Sequence, residues 1–492
     1  MSARVLTLAA TGVGLAGGGY VYLTRQQPTP LQKHPGGGQG QPQQQPCDPR
    51  PYKLLTPSEI DERLTSGQFV SRTNLARVQR VFTNRLPSNE PVEDNYSVNT
   101  FEDKLIAGVY DGHIGPHCSC LIKTQLPIYV ARQLRASQAK TPDAVQDAIS
   151  SAFETLDQDI QQRFYDLFPR NVRRCTEQDI RDAVTKHPDP KYADLIIKEA
   201  ITGSCACVVY LDGDDLYAAN TGDSRVVIIR QEEDGTWTGR RLVEEQSPAR
   251  PEWKAHMIAQ HPPDEAENII MRNRIFGLIA VGGSFGDIMY KVPKEYQMKV
   301  FPYIPYETYN MFARYHHRIV AHYRSPPYLY SKPLVSHHKL QKGDKYVVLG
   351  TDGLWDELCW DSVRSTNGDQ VAADIMSSWS DENTKDKNAA THLLRQSLLY
   401  DVVYKNVGEK MPPSDTVMEM SKRLTRTPSR RYRDDITITV IELNDEPNKA
   451  TAYTSQDDAG SVMVPQEVDA SVPRLVTPRK ESWYSGWIWS RM

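Results

Sequence analysis

Apolar residues recur along this chain at two different periods. Between residues 141 and 164, Val145, Ile149, Phe153, Leu156, Ile160 and Phe164 follow one another at spacings of three and four, which puts them on one face of a helix. Thr141-Pro142-Asp143 opens that helix, and Thr56-Pro57-Ser58-Glu59 carries a second start signal, a capping threonine followed by proline at the first helical position. Elsewhere the apolar runs are short. Cys205–Leu211 and Leu216–Ala219 are strand-like and flank Asp212-Gly213-Asp214-Asp215, a hairpin signal. Val226–Ile229 continues the β pattern after Gly222-Asp223-Ser224-Arg225. Strands that arrive in pairs through short turns, interrupted by long helices, predict an α+β fold with mainly antiparallel sheets.

The two ends of the chain depart from this pattern. Residues 1–27 contain Arg4 and Arg25 but no acid, and the first acidic residue is Asp48. Val5–Leu23 is a 19-residue stretch without charge, long enough for a marginal membrane span. An acid-free start containing Arg, Ser and Thr has the character of an organelle presequence. Residues 1–27 are therefore expected to be a mitochondrial presequence or a membrane anchor, with Val5–Leu23 as the point of membrane association in the second case. Residues 28–50 are a Gln/Pro/Gly linker, too poor in apolar side chains to order itself. The globular domain is expected over 51–443, with the Tyr- and Pro-rich stretch 291–335 as a surface excursion inside it. Residues 444–492 read as a mostly disordered tail. It ends in Trp483, Trp487 and Trp489, which could dock on the domain, a partner or a bilayer surface.

Composition narrows the function classes. Of the 492 residues, 39% are hydrophobic, enough for a sizeable core, and 58 basic against 62 acidic residues give a net charge of −4. No basic excess points to nucleic acid. Seven cysteines in so long a chain do not make a disulfide framework. The Cys118/Cys120 and Cys205/Cys207 pairs lack any further ligand at zinc spacing, so they read as buried small side chains in a reduced protein.

The informative chemistry lies where apolar runs meet acids. Leu105–Tyr110 leads into Asp111-Gly112-His113, Tyr346–Gly350 into Thr351-Asp352-Gly353, and Asp434-Asp435 opens Ile436–Ile441. Strands ending at one sheet edge can bring such carboxylates together, and clustered carboxylates repel unless hard divalent cations neutralise them. His113 is suited to proton transfer near neutral pH. Taken singly, each Asp-Gly is more commonly a turn capped by aspartate, Glu93-Asp94 is readable as a solvated loop, and Asp223 as a turn residue bonding backbone.

The set changes the reading. Glu93-Asp94, Asp111-Gly112-His113, Gly222-Asp223-Ser224-Arg225, Gly286-Asp287, Asp352-Gly353-Leu354-Trp355-Asp356 and Asp434-Asp435-Ile436-Thr437 appear in one order. That order resembles the metal-dependent protein serine/threonine phosphatases of type 2C, over about residues 52–443. The stretches LPSNEPVEDNYS, SPPYLYSKPLVSHHKLQKGDKYVVLGTDGLWDEL, AATHLLRQSL and RYRDDITITVIEL look most like the mitochondrial branch typified by pyruvate dehydrogenase phosphatase catalytic subunits.

The resemblance implies a central antiparallel β-sandwich flanked by α-helices on both sides. It implies two Mg²⁺ or Mn²⁺ ions, with a weaker third in some members. Asp111 would bridge the ions, the Gly112 carbonyl would add to one, and Asp352 and Asp434 would hold the other. Glu93 would act through a water, supported by Asp94, and Asp223 together with Asp352 would lie near the third ion. His113 would protonate the departing serine or threonine oxygen once a metal-activated water attacks. The implied partner is a phosphorylated protein, with the E1 component of the pyruvate dehydrogenase complex as leading substrate. Two positions depart from the usual pattern: Asn89 and Gly283 stand where many members have arginine, although the dehydrogenase-phosphatase branch also has asparagine at the first. The alternative is a catalytically weak or inactive phosphopeptide-binding scaffold. The intact Asp111, Asp352 and Asp434 argue against it.

Overall fold

The computed structural model describes residues 51–305, 316–359, 367–380, 383–405, 412–445 and 462–476. The expectations for residues 1–50 and for the three C-terminal tryptophans lie outside the described residues. No helix among the described residues is long and apolar enough to cross a membrane.

Two large sheets carry the architecture. The first orders its strands Trp237–Arg241, Arg225–Gln231, Asp344–Gly350, Ile436–Leu443, Val78–Leu86, Phe69–Ser71 and Val462–Met463. The second orders Leu334–Lys339, Asp215–Thr221, Ala206–Asp212, Lys104–Tyr110, Asn95–Phe101 and Gln466–Glu467. All neighbours run antiparallel except the two short C-terminal strands, which lie parallel to Phe69–Ser71 and Asn95–Phe101.

Side-chain alternation decides how the sheets pack. In Lys104–Tyr110, Leu105, Ala107 and Val109 join an inter-sheet core with Val347, Leu349, Ile441 and Val226 of the first sheet. Ile106 and Tyr110 point the other way, into a layer with the helices His117–Ser137, Pro142–Asp166 and Pro190–Ile201. On the far side, Val348, Ile436, Ile438 and Val440 pack against the helices Pro57–Thr65, Gly368–Ser377 and Ala389–Lys405. The fold is thus α+β, a mainly antiparallel sandwich covered by helices on both faces. Each fully buried aliphatic side chain contributes about 1.5–3 kcal/mol. A one-residue slip would expose a whole face, so the register at the strand ends is fixed.

The predicted caps and turn are present. The Thr141 hydroxyl accepts from Ala144 N at 3.4 Å, and Thr56 forms a reciprocal capping box with Glu59. The Gly213-Asp214 hairpin pairs Asp212 with Asp215, with Gly213 at φ 58°. All six described cysteines are free.

Two segments differ from expectation. The described residues of the 291–335 stretch are not simply a surface excursion: Tyr296, Phe301, Tyr323 and Tyr328 are buried in the helix-side core. Tyrosine can enter a core when its hydroxyl finds a partner. Here Tyr323 Oη donates to Val292 O, and Tyr328 Oη donates to the Glu265 carboxylate. Residues 462–476, which fall in the tail expected to be mostly disordered, add a strand to each sheet. Val468 and Ala470 are buried, and Arg474 forms a double ion pair with Asp159.

A small third sheet matters most for the site. Gly203–Ser204 is its central strand, pairing with Gly112–His113 on one side and Phe285–Gly286 on the other.

Candidate active site

Three strand ends meet at one edge of the sandwich. Lys104–Tyr110 delivers Asp111, and Asp344–Gly350 delivers Thr351 and Asp352. Asp434 and Asp435 precede Ile436–Leu443, which is paired with Asp344–Gly350. Carboxylate oxygens of Asp111, Asp223 and Asp352 lie within 4.8 Å of one another. Asp352 N donates to Asp111 Oδ2 at 3.4 Å, while Asp352 Oδ1 is buried without a hydrogen-bond partner. Asp111 is 9% exposed, and Asp223 and Asp352 are partly exposed, so the cluster opens to solvent.

Desolvation holds the carboxyls of Asp111 and Asp352 well above the usual range, reinforced at Asp111 by Asp352 and Asp94 and at Asp352 by Asp434 and Asp223. Asp223 is pushed up to about 6 by desolvation and by Glu245. Asp434 also lies at about 6, where desolvation outweighs the Arg430 guanidinium, whose Nη1 sits 2.6 Å from Asp434 Oδ2. Three converging hard oxygen donors with an unsatisfied buried oxygen among them fit a divalent cation.

A loop folded over this edge supplies Glu93 and Asp94. Asp435 holds it: Oδ1 accepts from Ser88 N at 2.5 Å and Asn89 N at 2.8 Å, and Oδ2 from Glu93 N at 2.8 Å and Asn89 Nδ2 at 3.1 Å. Desolvation, then Asp435 and Asp434, push Glu93 up to about 7 against the opposing charges of His113 and Arg430. Asp94 is raised by desolvation and the same two aspartates, and its Oδ2 accepts from the Thr351 hydroxyl at 2.8 Å. Glycines permit these approaches. A Cβ on Gly112 would lie 2.2 Å from Glu93 O, and one on Gly353 would lie 2.0 Å from Asp435 O.

His113 is buried, and its Nε2 lies 2.7 Å from Asp287 Oδ2. Burial alone would lower the imidazole, but the charge and hydrogen bond of Asp287 outweigh it and leave His113 raised.

A match to the family Protein phosphatase 2C spans residues 92–405. The chain belongs to the protein phosphatase 2C family. Mitochondrial pyruvate dehydrogenase (acetyl-transferring) phosphatase 1 of Homo sapiens is 26% identical over 474 residues, covering 82% of this chain and 85% of the relative. The enzyme of the same name from Saccharomyces cerevisiae is 26% identical over 508 residues, covering 90% and 82%. Mitochondrial phosphatase 2 of Homo sapiens is 27% identical over 475 residues, covering 80% and 84%.

As a 2C phosphatase the chain is a protein serine/threonine phosphatase of a magnesium- or manganese-dependent family, and its substrates are phosphoproteins. Of the residues singled out from sequence, Asp111 and Asp352 stand in the tight cluster, joined there by Asp223, which sequence had placed at its margin. Asp434 and Asp94 act on Asp111 through charge, while Glu93 feels the charges of Asp435, His113 and Asp434. Sequence reasoning assigned no role to Asp435, Thr351, Asp287 or Arg430. The Asp-Asp pair and the Gly-Asp motif were visible signals for two of them, but neither says which group the carboxylate will meet.

Proposed function

We propose that this chain hydrolyses phosphoserine and phosphothreonine esters on proteins inside mitochondria, with the phosphorylated E1 component of pyruvate dehydrogenase as leading substrate. The observation that carries the chemistry is the meeting of Asp111, Asp223 and Asp352 beside an unpartnered carboxylate oxygen. The substrate and address are supported by the names of the relatives, which are mitochondrial pyruvate dehydrogenase phosphatases.

In this reading Asp111, Asp352, Asp223 and the Gly112 carbonyl hold divalent metal, with Asp434 and Glu93 beside them and Asp94 in support. Bound there, Mg²⁺ or Mn²⁺ supplies charge neutralisation for the phosphate dianion and lowers the pKa of water. The protein's own residues do the rest. Asp435 and Thr351 fix the loop and the carboxylates before substrate arrives, so little reorganisation is left for the reaction. His113 holds a proton for the serine or threonine oxygen, a poor leaving group unless protonated.

The test is turnover of a phosphoserine peptide by residues 51–492 with Mn²⁺, with EDTA and with Asp111→Asn. Turnover is expected only in the first case. Hydrolysis that survives chelation would overturn the metal chemistry, and binding without turnover would favour a scaffold. For the address, a fusion of the full chain should co-fractionate with mitochondria and lose that location without residues 1–27. Among candidate phosphoproteins, E1 should be the better substrate by kcat/KM.

A further inference from the structure

Asp287 is a carboxylate whose chemistry the fold alone does not explain. Its side chain is 0% exposed, and both of its contacts fall on one oxygen: Oδ2 meets His113 Nε2 at 2.7 Å and the Ser284 hydroxyl at 2.6 Å. Oδ1 is buried with no hydrogen-bond partner. The neighbouring buried carboxylate behaves differently. Asp157 binds Lys291 Nζ at 2.8 and 2.9 Å and accepts from Gly286 N at 3.0 Å, so it is saturated. Asp157 thereby anchors the backbone immediately before Asp287 through Gly286 N, and Asp287 N donates to Thr202 O at 3.1 Å. Asp287 itself takes a left-handed conformation, φ 47° and ψ 39°, which is uncommon away from glycine.

The middle strand of the small sheet leaves room for the pair. A Cβ on Gly203 would lie 2.0 Å from His113 Nε2 and 2.3 Å from Asp287 Oδ2. Three elements, 174 residues apart at their extremes, therefore converge to hold one imidazole edge against one carboxylate.

We propose that Asp287 is a positioning residue for the phosphatase reaction. By receiving Nε2–H it fixes the ring and directs the Nδ1 proton of His113 to the leaving oxygen. This rests on the phosphatase reading of the site. In the step, the P–O bond breaks with its electron pair going to the serine oxygen, which takes the Nδ1 proton. Water gives hydroxide to phosphorus, and its other proton returns to the imidazole. The sum is phosphoester plus water giving alcohol plus hydrogen phosphate. Asp287 changes neither atoms nor charge, but without it the ring can turn or carry its proton on the wrong nitrogen.

The experiment compares two substrates with Mn²⁺: a phosphoserine peptide, whose alkoxide must be protonated, and p-nitrophenyl phosphate, whose phenolate leaves without help. Asp287→Asn should lower kcat on the peptide by about 30- to 100-fold, up to the lower end of the roughly 100- to 10,000-fold span of general-acid effects, because Asp287 acts through His113. It should change kcat on the aryl ester less than about 3-fold and leave KM near wild type. Gly203→Ala, which pushes the same pair apart without altering either group, should give the same selective loss and carries the test if Asp287→Asn does not fold. Adding Asp287→Asn to His113→Ala should cost nothing further on the peptide. Equal loss on both substrates would make Asp287 merely structural and overturn the proposal. If His113→Ala is selective and neither the Asp287 nor the Gly203 variant is, the proposal fails while the phosphatase reading stands. A wild type that turns over neither substrate would overturn both.

Discussion

Replacing Asp435 by alanine should unfold the loop that carries Glu93 more than it disturbs the sandwich. Its carboxylate accepts four hydrogen bonds, from Ser88 N, Asn89 N, Asn89 Nδ2 and Glu93 N. Hydrogen bonds to a charged group are worth about 1.5–3 kcal/mol each, so a plain sum would reach about 6–12 kcal/mol. Two effects reduce it. The four donors share one acceptor group and are not additive, and removal of the charge relieves repulsion on Glu93 and Asp94. A net loss of about 3–5 kcal/mol remains, similar to that for removing one partner of a buried pair. Asp435→Asn keeps one carbonyl acceptor but turns an amide donor toward other donors, so it should lose about 2 kcal/mol. Urea unfolding would measure both as shifts in midpoint at constant slope. In the folded fraction, Asp435→Ala should also have lost Mn²⁺-dependent turnover, because Glu93 is no longer held. A loss under about 1 kcal/mol with activity intact would refute the assignment of Asp435 as the clasp of this loop.

Three further outcomes are expected. Gly112→Ala puts a methyl group 2.2 Å from Glu93 O, so turnover should fall at least about 10-fold while the melting temperature drops only a few degrees; activity within 2-fold of wild type would show that the loop can yield. In EDTA, stability should fall as pH rises from about 4.5 through 7. Glu93, raised from 4.5 to about 7, binds more protons folded than unfolded in that window and alone accounts for about 3 kcal/mol of the total fall. Mn²⁺ should flatten the slope, and a melting curve with the same pH slope with and without Mn²⁺ would contradict the shared cluster. Arg430→Ala should raise KM for a phosphopeptide about 10- to 100-fold with a smaller change in kcat, measured by initial rates; an unchanged KM would remove Arg430 from substrate binding.

Much of this was legible in the sequence, for definite reasons. The helix over 142–166 and the hairpin at 212–215 obey local rules, period and turn chemistry, and both are present. Asp111 and Asp352 were identifiable because each ends an apolar run, and a strand end is where a sheet delivers a side chain. What stayed hidden depends on contacts across the chain. Asp434 and Asp435 are adjacent and identical in type, yet one pairs with Arg430 while the other turns back to clasp a loop 342 residues away, and no local signal distinguishes them. Tyr323 and Tyr328 sit in a polar-looking, proline-rich stretch, and only the partners waiting for their hydroxyls make them core residues. The strands of residues 462–467 are too short to announce themselves and form because two sheet edges are free to receive them.

The two missing arginines also acquire a physical meaning. At position 283 a side chain would displace the buried Gln246 amide, since a Cβ would lie 2.0 Å from Gln246 Oε1 and 2.5 Å from Thr221 Oγ1, a pair itself joined at 3.0 Å. At position 89 the side chain is buried and spends its amide on Asp435. An arginine there would have to leave that pocket, and the clasp on Glu93 would lose one of its four donors. The loop has therefore exchanged a cation for a rigid connection to the strand carrying Asp435. The positive charge reappears on the same strand's approach. Arg430, 30% exposed and paired with Asp434, already opposes, without reversing, the upward shift of the Glu93 and Asp352 carboxyls. A cation bound by Asp434 would compete with that ion pair, freeing the guanidinium for a phosphate dianion. Metal loading and phosphate binding would then be coupled through one side chain, a coupling that an arginine at position 89 would not provide.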